Sequence, residues 1–247
     1  MNQSTFISKA KSVLKDNAGV RKLPHQRHGK FLDEAHLGLV RAGETRIFQK
    51  SIKRQFFDYH VCIVMDCSGS MGGEKIEYAV YSTHALAHAL KQAGAKVDVF
   101  TFNRLYKKID ESIYGDPKVF YHQGLKEVDG WQGGGNHDHY AVEMTRQFMM
   151  KENRPGKIML VISDGEPICG SCKEKGCIPG GFRDLYEIAL KKSIKNSRNS
   201  GISTLAIGIM SETARRFYGE RQSRTIENLD TLYSDMAGLL EKNIVRG

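Results

Sequence analysis

From residue 59 onward the chain alternates between apolar blocks of strand length and longer stretches whose apolar positions recur at helical spacing. "YHVCIVMD" (59–66) and "GKIMLVISDG" (156–165) are nearly continuous apolar runs, as expected of strands covered on both faces. "AKVDVFTFN" (95–103) and "ISTLAIGI" (202–209) read as further strands. Between the first two, "KIEYAVYSTHALAHALKQAG" places Ile76, Ala79, Val80, Thr83, Leu86, Ala87 and Leu90 on one helical face, and Gly94 stops that helix. Helices are also predicted from about Tyr140 to Lys151, over "FRDLYEIALKKSIKNS" (182–197), and over the amphipathic "NLDTLYSDMAGLLEKNIV" (228–245). Upstream, "TRIFQKSIKRQFFD" (45–58) predicts an edge strand or hairpin arm. Residues 1–30 predict one short helix and then a mobile linker through Pro24.

Strands alternating with helices imply an α/β fold: a doubly wound, mostly parallel central sheet with helices on both faces. Ligands of such sheets bind beyond the C-terminal ends of the strands. Asp66 and Asp164 both fall there. The expected organisation is a basic N-terminal arm and linker over 1–42 and an α/β domain over 43–247.

Composition narrows the class. The 247 residues are 40% hydrophobic and 26% charged, which suits a soluble domain with an appendage. No apolar run approaches the roughly 20 residues of a membrane span. The first residues lack the compact apolar block of a signal peptide, so a cytoplasmic location with reduced cysteines is the expectation. The net charge of +9 is uneven. Residues 1–54 hold 12 Lys/Arg against 4 Asp/Glu, and the remainder holds 25 against 24. A basic arm suits nucleic acid or an acidic partner. No aromatic-rich nucleic-acid motif accompanies it, so a solubilising or docking extension is the simpler reading.

The candidate chemistry begins in "VCIVMDCSGSMGG" (61–73), where a buried strand runs into Asp66, Ser68 and Ser70 with glycines between and after them. A carboxylate beside neutral hydroxyls suits a hard divalent cation, Mg²⁺ or Mn²⁺, which binds oxygen and wants about six ligands. The missing oxygens have to come from other loops on the same sheet edge. "GGGNHDHYA" offers Asn136 and Asp138 just before a helix, and "VISDGEP" offers Asp164 at the end of a strand.

These residues carry a resemblance. Asp66-Cys67-Ser68-Gly69-Ser70 resembles the DxSxS signature of von Willebrand factor A (VWA) domains, whose metal ion-dependent adhesion site adds a threonine-type loop and a later aspartate. Asn136 stands where the threonine would be, and Asp164 matches the later aspartate. "GKFLDEAHLGLVRAGETRIFQK", Asn136 to Asp138, "ISDGEP", "LAIGI" and "ARRFYGERQSRTIENLDTLYSDMAGLLEKNI" are together similar to the C-terminal domain of cobaltochelatase T subunits, over roughly residues 29–245. The resemblance implies a non-catalytic metal site in which the protein leaves one coordination position for an Asp or Glu of a client. It also implies an AAA+ ATPase as partner and a role in cobalamin synthesis or other client remodelling. The chain has no GxxxxGK[ST] phosphate loop, so ATP hydrolysis would be the partner's.

Other groups leave alternatives open. His137 and His139 flank Asp138, and with the acidic cluster they suit a metal-dependent hydrolase or nuclease; otherwise they are polar loop residues. GxSxG is absent, so a serine nucleophile is not indicated. Cys67 is a thiol beside Asp66, or side-chain filler. Cys169, Cys172 and Cys177 form CxxCxxxxC after the Asp164 strand, offering three of the four ligands a structural Zn²⁺ usually wants; thiol redox and an idle loop are the alternatives. Trp131 is a contact residue or a loop anchor. Arg215 and Arg216 either meet a partner's acids or are solvated.

Overall fold

The computed structural model describes residues 4–9, 21–29, 31–52, 59–114, 118–120, 135–165 and 183–244, with positions 116, 167 and 178 between them. Strands β1 (Arg21–Gln26), β2 (Phe31–Leu32) and β3 (Phe48–Ile52) form a small antiparallel sheet in the order β1-β3-β2. The expected linker through Pro24 is therefore a strand. Its register shifts between Leu23 and Gln26. Such an irregularity is where a sheet tolerates a residue without a backbone N–H. The strand expected at an edge supplies β3, which is central in this small sheet; residues 53–58 lie outside the described residues.

The main sheet holds β4 (Tyr59–Asp66), β5 (Lys96–Phe102), β6 (Tyr106–Lys108), β7 (Gly156–Ser163), β8 (Ser203–Ile209) and β9 (Ser223–Ile226), in the order β6-β5-β4-β7-β8-β9. Every pairing is parallel except β5–β6. The apolar runs of β4 and β7 sit side by side, Val61 opposite Ile158 through Met65 opposite Ile162. β6 and β9 were not expected: three and four residues are too short to show a period of two.

Alternation along these strands feeds two cores. Val61, Ile63, Met65, Leu160, Ile162, Leu205 and Ile207 face one side. There they meet α1 (Glu74–Gln92) through Val80, Leu86 and Leu90, and α5 (Leu232–Ile244) through Met236 and Leu240. Cys62, Val64, Phe100, Met159 and Val161 face the other side. They pack with α2 (Asp138–Met150), α3 (Arg183–Asn199) and α4 (Thr213–Tyr218). Both faces are covered, which is why the central strands read as continuous apolar runs.

The N-terminal piece is also tied down. Residues 4–9 are helical, Phe6 is fully buried with its ring 5.2 Å from that of Tyr233, and Lys9 pairs with Glu241 at 3.0 Å. Among the described residues, no helix is long and apolar enough to cross a membrane.

The chain leaves β4 toward β5 on one side, while β7 lies on the other. A crevice opens at such a switch point, outside the carboxyl ends of the strands. Asp66 ends β4, and Asp164 directly follows β7.

Candidate metal centre

Asp66 is completely buried, and its carboxylate is held by three donors from three segments. Oδ1 accepts the Ser68 backbone N–H at 2.8 Å. Oδ2 accepts the Asn136 amide at 2.8 Å and the Ser163 hydroxyl at 2.6 Å. Ser163 Oγ in turn accepts the Gly165 N–H at 2.9 Å, so its single proton is directed at Asp66. Gly165 has φ +85, and a Cβ there would stand 2.9 Å from the Ala214 nitrogen. Only glycine turns the chain behind Asp164 without displacing the start of α4.

After Asp66 the backbone makes a short 3₁₀ turn over Gly69–Met71, with Met71 in the core and the two hydroxyls beside the carboxylates. Ser68 Oγ and Ser70 Oγ are 3.2 Å apart, and Ser70 donates to Asp164 Oδ1 at 3.0 Å. Asp164 Oδ2 accepts the Lys75 ammonium at 2.9 Å. Asp138 is the first residue of α2, two positions before the expected start at about Tyr140, and it is 1% exposed. The His137 N–H donates to the Asn103 carbonyl at 3.2 Å, which pins this loop to the β5–β6 connection.

The electrostatics are unfavourable without a cation. Burial pushes Asp66 from its ordinary 3.8 to about 6, opposed by the Ser163 hydrogen bond and reinforced by the charge of Asp164. Burial, then the charges of Asp66 and Asp164, push Asp138 well above the usual carboxylate range. Two buried oxygens, Asn136 Oδ1 and Asp138 Oδ2, have no hydrogen-bond donor among the described residues. Buried polar atoms are rarely left so. An all-oxygen donor set of carboxylates, hydroxyls and an amide fits Mg²⁺ or Mn²⁺ and suits soft metals poorly. Asp66, Ser68, Ser70, Asn136, Asp138 and Asp164 are thus brought to one sheet edge.

Periodicity and motif missed two residues of this cluster, Ser163 and Lys75. Ser163 looked like the last residue of a strand. Lys75 stood only at the start of a predicted helical segment, although a cation in a helix's first turn opposes the macrodipole and was a readable signal.

The neighbouring candidates are placed as follows. The His137 ring stacks on Tyr186 (centroids 6.3 Å, 8°) and the His139 ring meets Tyr186 edge-on (5.4 Å, 68°). Tyr186 is fully buried on α3, and its hydroxyl accepts the Ile178 N–H at 2.9 Å. Cys67 is buried in the core. Arg215 pairs with Glu212 and Arg216 with Glu187. Trp131 and Cys169, Cys172 and Cys177 lie outside the described residues.

A second buried polar group lies toward the opposite end of β4. His60 Nε2 is 2.7 Å from Asp98 Oδ2 and 3.4 Å from Cys62 Sγ, and Lys108 pairs with Asp98. Burial works against the Asp98 charge, but the hydrogen bonds from His60 and Lys108 outweigh it and hold the carboxyl at about 2. Burial pushes the Cys62 thiol well up. Lys108 balances the Asp98 charge, while His60 Nδ1 is buried with no hydrogen-bond partner among the described residues.

With the geometry in place, comparison with known proteins agrees on the family. The model of the VWA domain of the cobalamin biosynthesis protein CobT matches residues 47–113 and 133–244, well over half the chain. The chain belongs to this family. CobT-type VWA domains share their fold with solved structures of distant sequence. BatB, a conserved hypothetical protein from Bacteroides thetaiotaomicron, is 15% identical with a TM-score of 0.56, over 76% of this chain and 100% of its own. An aerotolerance-related membrane protein from Bacteroides fragilis is 16% identical with a TM-score of 0.54, over 76% and 100%. The pilus adhesin SpaC from Lactobacillus rhamnosus GG is 13% identical with a TM-score of 0.55, over 76% of this chain and 30% of the adhesin. These likenesses speak to the fold, a VWA-type α/β sheet, and the family match places the present chain among CobT VWA domains.

Proposed function

We propose that this chain is a non-catalytic interaction subunit whose docking is completed by a divalent cation, and that it works beside an AAA+ ATPase in a chelatase-type complex. The observation that carries this reading is the cluster of buried oxygens at the sheet's switch point, two of them without donors. Family membership supports the chelatase context. The chain has no phosphate loop of its own, which supports a separate ATPase.

In this reading Ser68, Ser70, Asp138 and Asp164 offer oxygens to Mg²⁺ or Mn²⁺, and Asn136 and Ser163 hold Asp66 in the orientation that joins them. When bound, the ion supplies a coordination position that an Asp or Glu of a partner can fill. The protein's share is rigidity: β4 and β7 fix two carboxylates through their common ladder, and the tie from His137 to Asn103 fixes the third loop. A hydrolytic reading would need His137 or His139 to act on a substrate, and both rings instead pack on Tyr186. A zinc role for Cys169, Cys172 and Cys177 is a separate proposal, tested by metal content of the purified protein.

The test is affinity purification from the native host, in Mg²⁺ and in EDTA, of wild type and Asp66→Ala. Recovery of an ATPase with wild type in Mg²⁺, and its loss with EDTA or with the substitution, is the expected result. A partner retained under all conditions would overturn the cation-completed interface.

A further inference from the structure

Lys75 is the second residue of α1, where the positive end of the helix disfavours a cation. Its neighbours in that turn, Glu74 and Glu77, are acidic and exposed, as the macrodipole prefers. Lys75 does the opposite: it reaches across 89 positions of sequence to a carboxylate that is 5% exposed, with its Nζ 2.9 Å from Asp164 Oδ2. Among the described residues it is the one basic side chain in ion-pair contact with Asp66, Asp138 or Asp164.

The formal charges then decide what the site can accept. Once ionised, as a bound cation favours, the three buried carboxylates and one ammonium sum to two negative charges. A single divalent cation neutralises that sum. Without Lys75 the same pocket would carry three negative charges and would match a trivalent ion. Desolvated charge is costly unless balanced, so this balance bears directly on affinity and on choice of ion.

We infer that Lys75 is the resident counter-cation of the metal centre, lowering its affinity for divalent ions to a reversible range and holding back trivalent ones. This rests on the reading of the cluster as a cation site, and it assigns to Lys75 a specificity role that needs no direct contact with the ion. Lys75 shares Asp164 with the ion: Ser70 and Lys75 occupy one carboxylate oxygen each. Any cation drawing on Asp164 therefore does so against a fixed positive charge.

The magnitude follows from Coulomb's law. Removing one unit charge about 6 Å from a divalent ion, in a water-like medium, changes affinity on the order of tenfold. The energy scales with the charge of the bound ion, so the same removal changes a trivalent ion's affinity by roughly thirtyfold. A structural defect would weaken both ions alike. A lost counter-charge strengthens both, the trivalent one more.

The test measures Mg²⁺ and Mn²⁺ binding by calorimetry and Tb³⁺ binding by sensitised luminescence, on wild type, Lys75→Met, Lys75→Gln, Lys75→Arg and Asp66→Ala. Thermal melts in EDTA confirm that each variant is folded. Expected are divalent affinity about tenfold tighter in Lys75→Met and Lys75→Gln, a larger gain for Tb³⁺, and Lys75→Arg close to wild type. Unchanged or weaker binding in Lys75→Met, an equal gain for both ion charges, or Lys75→Arg behaving like Lys75→Met would each overturn the role of Lys75 and leave the site standing. Failure of the wild type to bind any of these ions, or binding indifferent to Asp66→Ala, would remove the site itself and this inference with it.

Discussion

Stripped of divalent ions, the protein should gain stability as the pH is lowered from 6.5 to 4.5, against the usual trend of acid denaturation. Two groups act in this direction: Asp138, pushed well above the usual carboxylate range, and Asp66, whose pKa lies at about 6 in the folded chain against an ordinary 3.8. A raised carboxyl binds more protons in the native state than in the unfolded state, so stability falls as pH climbs through the interval between the two values. Each pKa unit corresponds to about 1.4 kcal/mol, so Asp66 contributes about 3 kcal/mol over its whole titration and about 2 kcal/mol between pH 6.5 and 4.5. For a chain of this size, about 2 kcal/mol is roughly 4–8 °C in Tm. Asp98, held at about 2, works in the other direction, but only below about pH 4. The assay is urea unfolding followed by far-UV circular dichroism, in EDTA, at pH 4.5, 5.5, 6.5 and 7.5, on wild type and Asp66→Asn. The difference between the two proteins isolates Asp66 from the remaining carboxylates. Saturating Mg²⁺ favours the ionised form and should flatten the wild-type slope. A wild-type curve in EDTA that runs parallel to that of Asp66→Asn would refute the reasoning.

Three further outcomes are expected. Mg²⁺ at a hundred times its dissociation constant should stabilise wild type by about 2.7 kcal/mol, and Asp164→Ala should abolish that increment, both read from urea midpoints. Asp98→Asn should cost about 1.5–3 kcal/mol, since it leaves the buried His60 and the half-exposed Lys108 facing a neutral partner; an equilibrium unfolding curve within about 0.5 kcal/mol of wild type would contradict the ion-pair description. Phe6→Ala should cost about 3 kcal/mol by emptying the space beside Tyr233, and an unshifted Tm would show that residues 4–9 do not belong to the core.

The central sheet was legible because β4 and β7 are buried on both faces, and such strands announce themselves as unbroken apolar runs. Asp66 and Asp164 were legible for the same reason: a carboxylate closing such a run must lie at the sheet's carboxyl edge. Ser163 was not, because a serine ending a strand has the same pattern whether it faces a carboxylate or a neighbouring loop. Its role exists only once β4 and β7 are adjacent. The pair of His60 and Asp98, 38 positions apart on separate strands, was hidden likewise, since each polar residue in an apolar run finds its partner through the sheet register. β1 was masked by Pro24, which normally argues against a strand and here coincides with a shift of register. β9 was too short to carry a pattern at all.

The contact between Phe6 and Tyr233 gives the domain an order of assembly. Residues 4–9 precede in sequence, by almost the whole domain, the surface on α5 that receives them. Synthesis runs from N- to C-terminus, so that segment is made before α5 and waits with its aromatic ring uncovered. Closing so long a loop is among the slower steps available to a chain, so the contact forms late. Its closure registers that α5 has docked, and until then the uncovered ring stays open to chaperones and proteases.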